Sequence, residues 1–66
     1  MESIEISDRA AAQVARGYLW VFSNELIGKP PAYQPGSWVH FTCRKKIIAT
    51  GYYNPHSLIA GRVVAL

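Results

Sequence analysis

The chain has 66 residues, half of them hydrophobic, and a formal net charge of +3. That length gives one small domain, residues 1–66, with a thin core, and the apolar content is too high for a disordered tail. A single cysteine excludes an internal disulfide and a cysteine-rich zinc site, and no apolar run reaches the roughly 18 residues of a membrane span.

The N-terminal stretch MESIEISD is acidic and alternating, unlike a signal peptide, so the expected location is cytoplasmic and no membrane partner is expected. Ile4 and Ile6 fall on one face of a short strand over residues 2–6. Ser7 is a good N-cap, and Asp8 suits the positive end of a helix dipole. DRAAAQVAR then reads as a helix, ended by Gly17. Leu19 to Phe22 lack clean periodicity. They read as a tight turn or 3₁₀ piece through Trp20, followed by a strand over residues 24–28, with a short helix capped by Ser23 as the competing reading. KPPAYQPGS is a loop in which Pro35-Gly36 fits a type II turn. SWVHFTC alternates, placing Trp38, His40 and Thr42 on one face and Val39, Phe41 and Cys43 on the other. Arg44-Lys45 marks a hairpin tip, and KIIATGYY is the return strand, with Gly51 at a bulge. After the Asn54-Pro55 turn a last strand covers residues 58–66. One helix and about five short strands define an α+β, mainly β, curled sheet or small barrel. The stop in the middle of an apolar run, VVAL, suggests a piece of a longer chain.

Charge is unevenly spread. Three of the four acids lie in the first eight residues, and all seven cations follow them, so residues 9–66 carry a net +6. A basic body of this kind suits a polyanionic partner, although a solvated lysine-rich surface would look the same. Catalysis is not expected of the chain alone. Its glycines match neither the dinucleotide fingerprint nor the phosphate loop. His40 and Cys43, three apart on a strand, face opposite ways and cannot share a metal, so no metal site is expected.

Strand parity puts Arg62 among apolar neighbours, Ala60 and Val64, where a guanidinium needs a partner. Glu25 is the only acid in the body of the chain. A structural pair between Glu25 and Arg62 is therefore one expectation, and contact with a nucleic-acid phosphate is the other. Tyr52 and Tyr53 must face opposite ways, one filling the core and one free to stack on a base. Trp20 and Trp38 read most simply as packing, and Asn54 as turn chemistry. Arg16 is favoured at a helix C-terminus in any case, with phosphate contact as its functional alternative.

RGYLWVFSNEL (residues 16–26) and TGYYNPHSLIAGRVV (residues 50–64), with PGSWVHF between them, resemble the N-terminal PUA domain of bacterial S-adenosylmethionine-dependent ribosomal RNA large-subunit cytosine-5 methyltransferases. The resemblance spans essentially the whole chain. It implies a PUA-like β pseudobarrel with one N-terminal helix and an RNA-binding role. It also implies a methyltransferase domain on the C-terminal side, which would bind S-adenosylmethionine; no cofactor is expected in this chain. Departures are Tyr18-Leu19 where His-Pro is usual, Gly61 where a larger apolar residue is common, and Arg44-Lys45-Lys46 where an acidic Asp-Gly tip is usual. The expected RNA-contacting set is Arg16, Gly17, Trp20, Ser23, Asn24, Tyr53, Asn54, Ser57, Arg62 and the basic tip Arg44, Lys45 and Lys46. The rival expectation is an assembly module that docks onto its methyltransferase domain or forms a homodimer through exposed strand edges.

Overall fold

The computed structural model describes residues 2–28 and 33–66. Its elements run β1 (Glu2–Glu5), α1 (Asp8–Ala15), β2 (Trp20–Phe22), a 3₁₀ turn (Ser23–Glu25), β3 (Ser37–Cys43), β4 (Lys46–Tyr53) and β5 (Ile59–Ala65). The five strands form one mixed sheet in the order β1-β3-β4-β5-β2, with β1 parallel to β3 and the other pairs antiparallel. The ladder does not close into a barrel. Its two ends meet through a single bridge, Ile6 with Leu26, fastened by Ile27 N–H to the Glu5 carbonyl and Ser7 N–H to the Glu25 carbonyl.

Helix α1 is bounded as its sequence dictates. The Ser7 hydroxyl accepts from Ala10 N–H at 3.1 Å, satisfying a donor that the first turn leaves open. At the other end Tyr18 N–H reaches the Gln13 carbonyl and Gly17 N–H the Val14 carbonyl. This is a Schellman closure, and it requires the left-handed backbone that Gly17 supplies at φ 102°. Ala10 and Val14 face the concave side of the sheet. There they join Ile4, Ile6, Val21, Val39, Phe41, Ala49, Tyr53, Ala60 and Val63 in one core.

The segment after the helix differs from expectation. The strand lies at Trp20–Phe22, where the sequence suggests a turn, and the 3₁₀ turn lies at Ser23–Glu25, close to the competing short-helix reading. A local bond explains the order: the Glu25 carboxylate accepts from Phe22 N–H at 2.9 Å and closes the turn on itself. Trp20–Phe22 gains its ladder from β5, a long-range pairing that local signals do not reveal. The expected turn at Pro35-Gly36 forms, with Ser37 N–H on the Gln34 carbonyl and Gly36 at φ 81°. The first part of the expected loop, residues 29–32, lies outside the described residues.

Gly51 does sit at a bulge, the register slipping between Thr50 and Gly51. A Cβ there would lie 1.9 Å from the Arg62 carbonyl oxygen, so the two backbones approach as only glycine permits. At Gly61 a Cβ would come within 2.7 Å of the Phe41 ring, which fills the volume a larger side chain would otherwise take.

Candidate nucleic-acid interface

The β3–β4–β5–β2 register builds one exposed row across the convex face of the sheet. Trp38 pairs with Tyr52, Tyr52 with Arg62, and Arg62 with Trp20. The three rings are open to solvent, at 44% for Trp38, 41% for Tyr52 and 52% for Trp20. Arg62 is exposed among them. Trp38 and Tyr52 touch at a ring-centroid distance of 4.2 Å and an angle of 43°. Alternation is the cause: Val39, Gly51, Tyr53, Gly61, Val63 and Val21 take the inner face, and Trp38, Tyr52, Arg62 and Trp20 beside them point outward.

Two expectations are corrected here. Tyr53 is fully buried, its ring edge-on to Tyr33 at 6.0 Å, so Tyr52 is the tyrosine that can meet a ligand. The Glu25–Arg62 pair does not form. The Glu25 carboxylate is turned to its own backbone at Phe22, and the only ion pair among the described residues joins Asp8 to Arg44. Ala60 and Gly61 are both buried, which breaks the strict alternation at the start of β5 and brings Arg62 out to solvent. Its cation needs no internal partner there.

On the edge beside β2, α1 and the 3₁₀ turn frame a cleft of about 810 Å³. Ser7, Arg9 and Gln13 line it from the helix and its cap, Tyr18, Phe22, Asn24 and the acid Glu25 from the motif after it, and Leu58 from the turn before β5. Arg16 and Gly17 are exposed at the helix end nearby in sequence. Ser23 is held by its backbone, its N–H donating to the Leu58 carbonyl at 2.8 Å. Of this lining, Asn24 belongs to the expected set; Arg9, Gln13, Tyr18 and Phe22 do not, because only the folded chain brings these residues around one cleft.

Asn54 acts chiefly as a turn former: its side-chain oxygen accepts from His56 N–H at 3.0 Å, and its carbonyl from Ser57 N–H. Beside this turn a hollow of about 340 Å³ opens, lined by Gly36, Tyr52, Asn54 and Arg62 among others.

The basic tip lies elsewhere. Cys43 pairs with Lys46 at one end of the hairpin and Trp38 with Tyr52 near the other. Five residues of strand separate them, about 16 Å. Arg44 is moreover engaged, its guanidinium donating twice to Asp8 at 3.0 and 2.7 Å. The Asp8 carboxyl also accepts from the Cys43 thiol at 3.2 Å. The hydrogen bonds from Arg44 and then Cys43 hold its pKa down at about 2. The same bond to Asp8, with burial second, pushes the Cys43 thiol up, so it is no activated nucleophile. The expected contact residues thus divide between the convex row, the cleft edge and a distant tip.

No group of three or more potential metal ligands occurs among the described residues, and none of their helices is long and apolar enough to cross a membrane. The profile of the PUA-like domain family matches residues 4–65, nearly the whole chain, and the protein belongs to that family. No curated protein matches the sequence.

Proposed function

We propose that this PUA-like domain binds RNA and helps dock an S-adenosylmethionine-dependent methyltransferase onto ribosomal RNA. The observation that carries RNA binding is the cleft between α1 and the FSNE segment, where a cation, two amides and two exposed rings line one concavity in a member of a family associated with RNA; the one acid of the lining, Glu25, is turned to Phe22 N–H. Arg9 and Arg16 supply phosphate attraction from the helix. Gln13 and Asn24 offer both donors and acceptors to base or ribose edges, and Tyr18 and Phe22 offer stacking surface. The methyltransferase link rests on the likeness of the two quoted motifs. In this reading the domain contributes binding and positioning, while the cofactor and the chemistry belong to a partner domain.

Labelled ribosomal RNA fragments titrated between about 50 and 200 mM salt test the first part. Binding weakens with salt, and the double variant Arg9→Ala/Arg16→Ala lowers the logarithmic slope by about 0.7–0.9 for each phosphate that the variant no longer neutralises. Absence of binding at low salt would sink the reading. The coding sequence beyond Leu66 tests the second part, through the presence or absence of an in-frame methyltransferase. Exposed Leu58, Val64 and Leu66 favour one alternative, an assembly surface for domain docking or self-association. Sedimentation at rising concentration reports it directly.

A further inference from the structure

The convex row calls for a ligand of its own. Its members come from four strands, so no local turn or cap explains their gathering. Three rings stand open to solvent, while two others, Phe41 and Tyr53, are fully buried on the inner face. Arg62 stands between Tyr52 and Trp20 in the register and has no ion pair among the described residues. None of the four acids joins the row. Glu2 and Glu5 lie on β1, the edge strand beside β3, in register with Val39 and Thr42 and three strands from Arg62, Asp8 is held by Arg44, and Glu25 is turned to Phe22 N–H.

We infer that this row is a stacking platform for unpaired RNA, an inference that rests on the RNA-binding reading and adds to it a second contact face and a preference for single strands. Neighbouring strands lie about 4.8 Å apart, so the four strands spread the three rings and Arg62 over about 14 Å. That span suits roughly two or three splayed bases. Every base has a π-face, so stacking on Trp38, Tyr52 and Trp20 is tolerant of sequence. Arg62 answers the phosphates that travel with those bases. A protein surface seated here would have to bring an acid to Arg62, whereas an RNA strand carries an anion at every step. Duplex RNA buries its base faces in its own stack and cannot use the row. Trp20 and Phe22, two apart on β2 and both exposed, join the row to the cleft, so one strand can run from the sheet over its edge toward α1.

The test compares a labelled single-stranded decaribonucleotide with the same sequence as a duplex, at low salt. Trp38→Ala and Tyr52→Ala each weaken single-strand binding about tenfold and leave duplex binding unchanged. Trp38→Phe and Tyr52→Phe keep most of it. Arg62→Ala lowers the single-strand salt slope by about 0.7. All of these side chains are exposed, and circular dichroism of each variant is the check that it folds. Single-strand binding that is unchanged in both alanine variants, while Arg9→Ala/Arg16→Ala still weakens it, overturns the platform and leaves the RNA-binding function standing. No RNA binding by the unaltered chain overturns both. Loss of a concentration-dependent dimer in Trp38→Ala, without any change in RNA affinity, also overturns the platform and assigns the row to self-association.

Discussion

Gly61 and Gly51 set two of the tightest tolerances in the molecule. An alanine methyl at Gly61 meets the Phe41 ring and, at 3.1 Å, Val21. Both neighbours are fully buried and cannot swing away. Gly61→Ala is expected to cost about 1–3 kcal/mol, read as a lowered urea midpoint with unchanged slope. Gly51→Ala is worse, because its obstacle is the Arg62 carbonyl, a backbone atom inside the β4–β5 ladder. Asp8 gives a pH-dependent residue effect. Its pKa of about 2 lies below the unperturbed 3.8, so the ionised form is the one the fold stabilises. That contribution is complete above about pH 4 and disappears as the pH falls toward 2. A carboxyl NMR titration should place the Asp8 midpoint near pH 2, and Arg44→Ala should raise it only part of the way to the ordinary aspartate value, because the bond from Cys43 remains.

At the scale of elements, the β3–β4 hairpin carries an unusual turn. Arg44 and Lys45 both adopt left-handed backbone, at φ 53° and 68°, where a two-residue hairpin ordinarily places Asn-Gly. Lys45→Gly removes that strain at an exposed position and should stabilise the domain by about 1 kcal/mol in thermal or urea unfolding. Arg44 is less free to change, since its guanidinium ties the tip to the start of α1 through Asp8. Ser7→Ala should cost about 1 kcal/mol by opening the helix cap that the hydroxyl closes on Ala10. The basic tip therefore has a structural use at Arg44, and only Lys45 and Lys46 remain without ion pairs there. Charge reversal at those two lysines is expected to reduce RNA affinity less than Arg62→Ala, because they lie about 16 Å along the hairpin from the row. A larger effect of the lysine reversal would show that the tip, and not the sheet, meets the RNA.

For the molecule as a whole, local chemistry settled a good deal. The cap at Ser7, the glycine stop at Gly17, the turn at Pro35-Gly36, the hairpin at Arg44-Lys45 and the bulge at Gly51 are all nearest-neighbour effects, legible in a few consecutive residues. Alternation within SWVHFTC likewise fixed that Trp38 and Phe41 face opposite ways. The PUA-like class followed from motif order along the chain. What a strand's own residues do not contain is which of its two faces is buried, since both choices satisfy a period of two. The pairing of β4 with β3 and β5 made that choice. It sent Tyr53 inward and Tyr52 outward, and aligned Trp38, Tyr52, Arg62 and Trp20 from strands up to 42 positions apart in sequence. Local order is written in neighbouring residues; the exposed row exists only because long-range hydrogen bonding set the register of four strands at once.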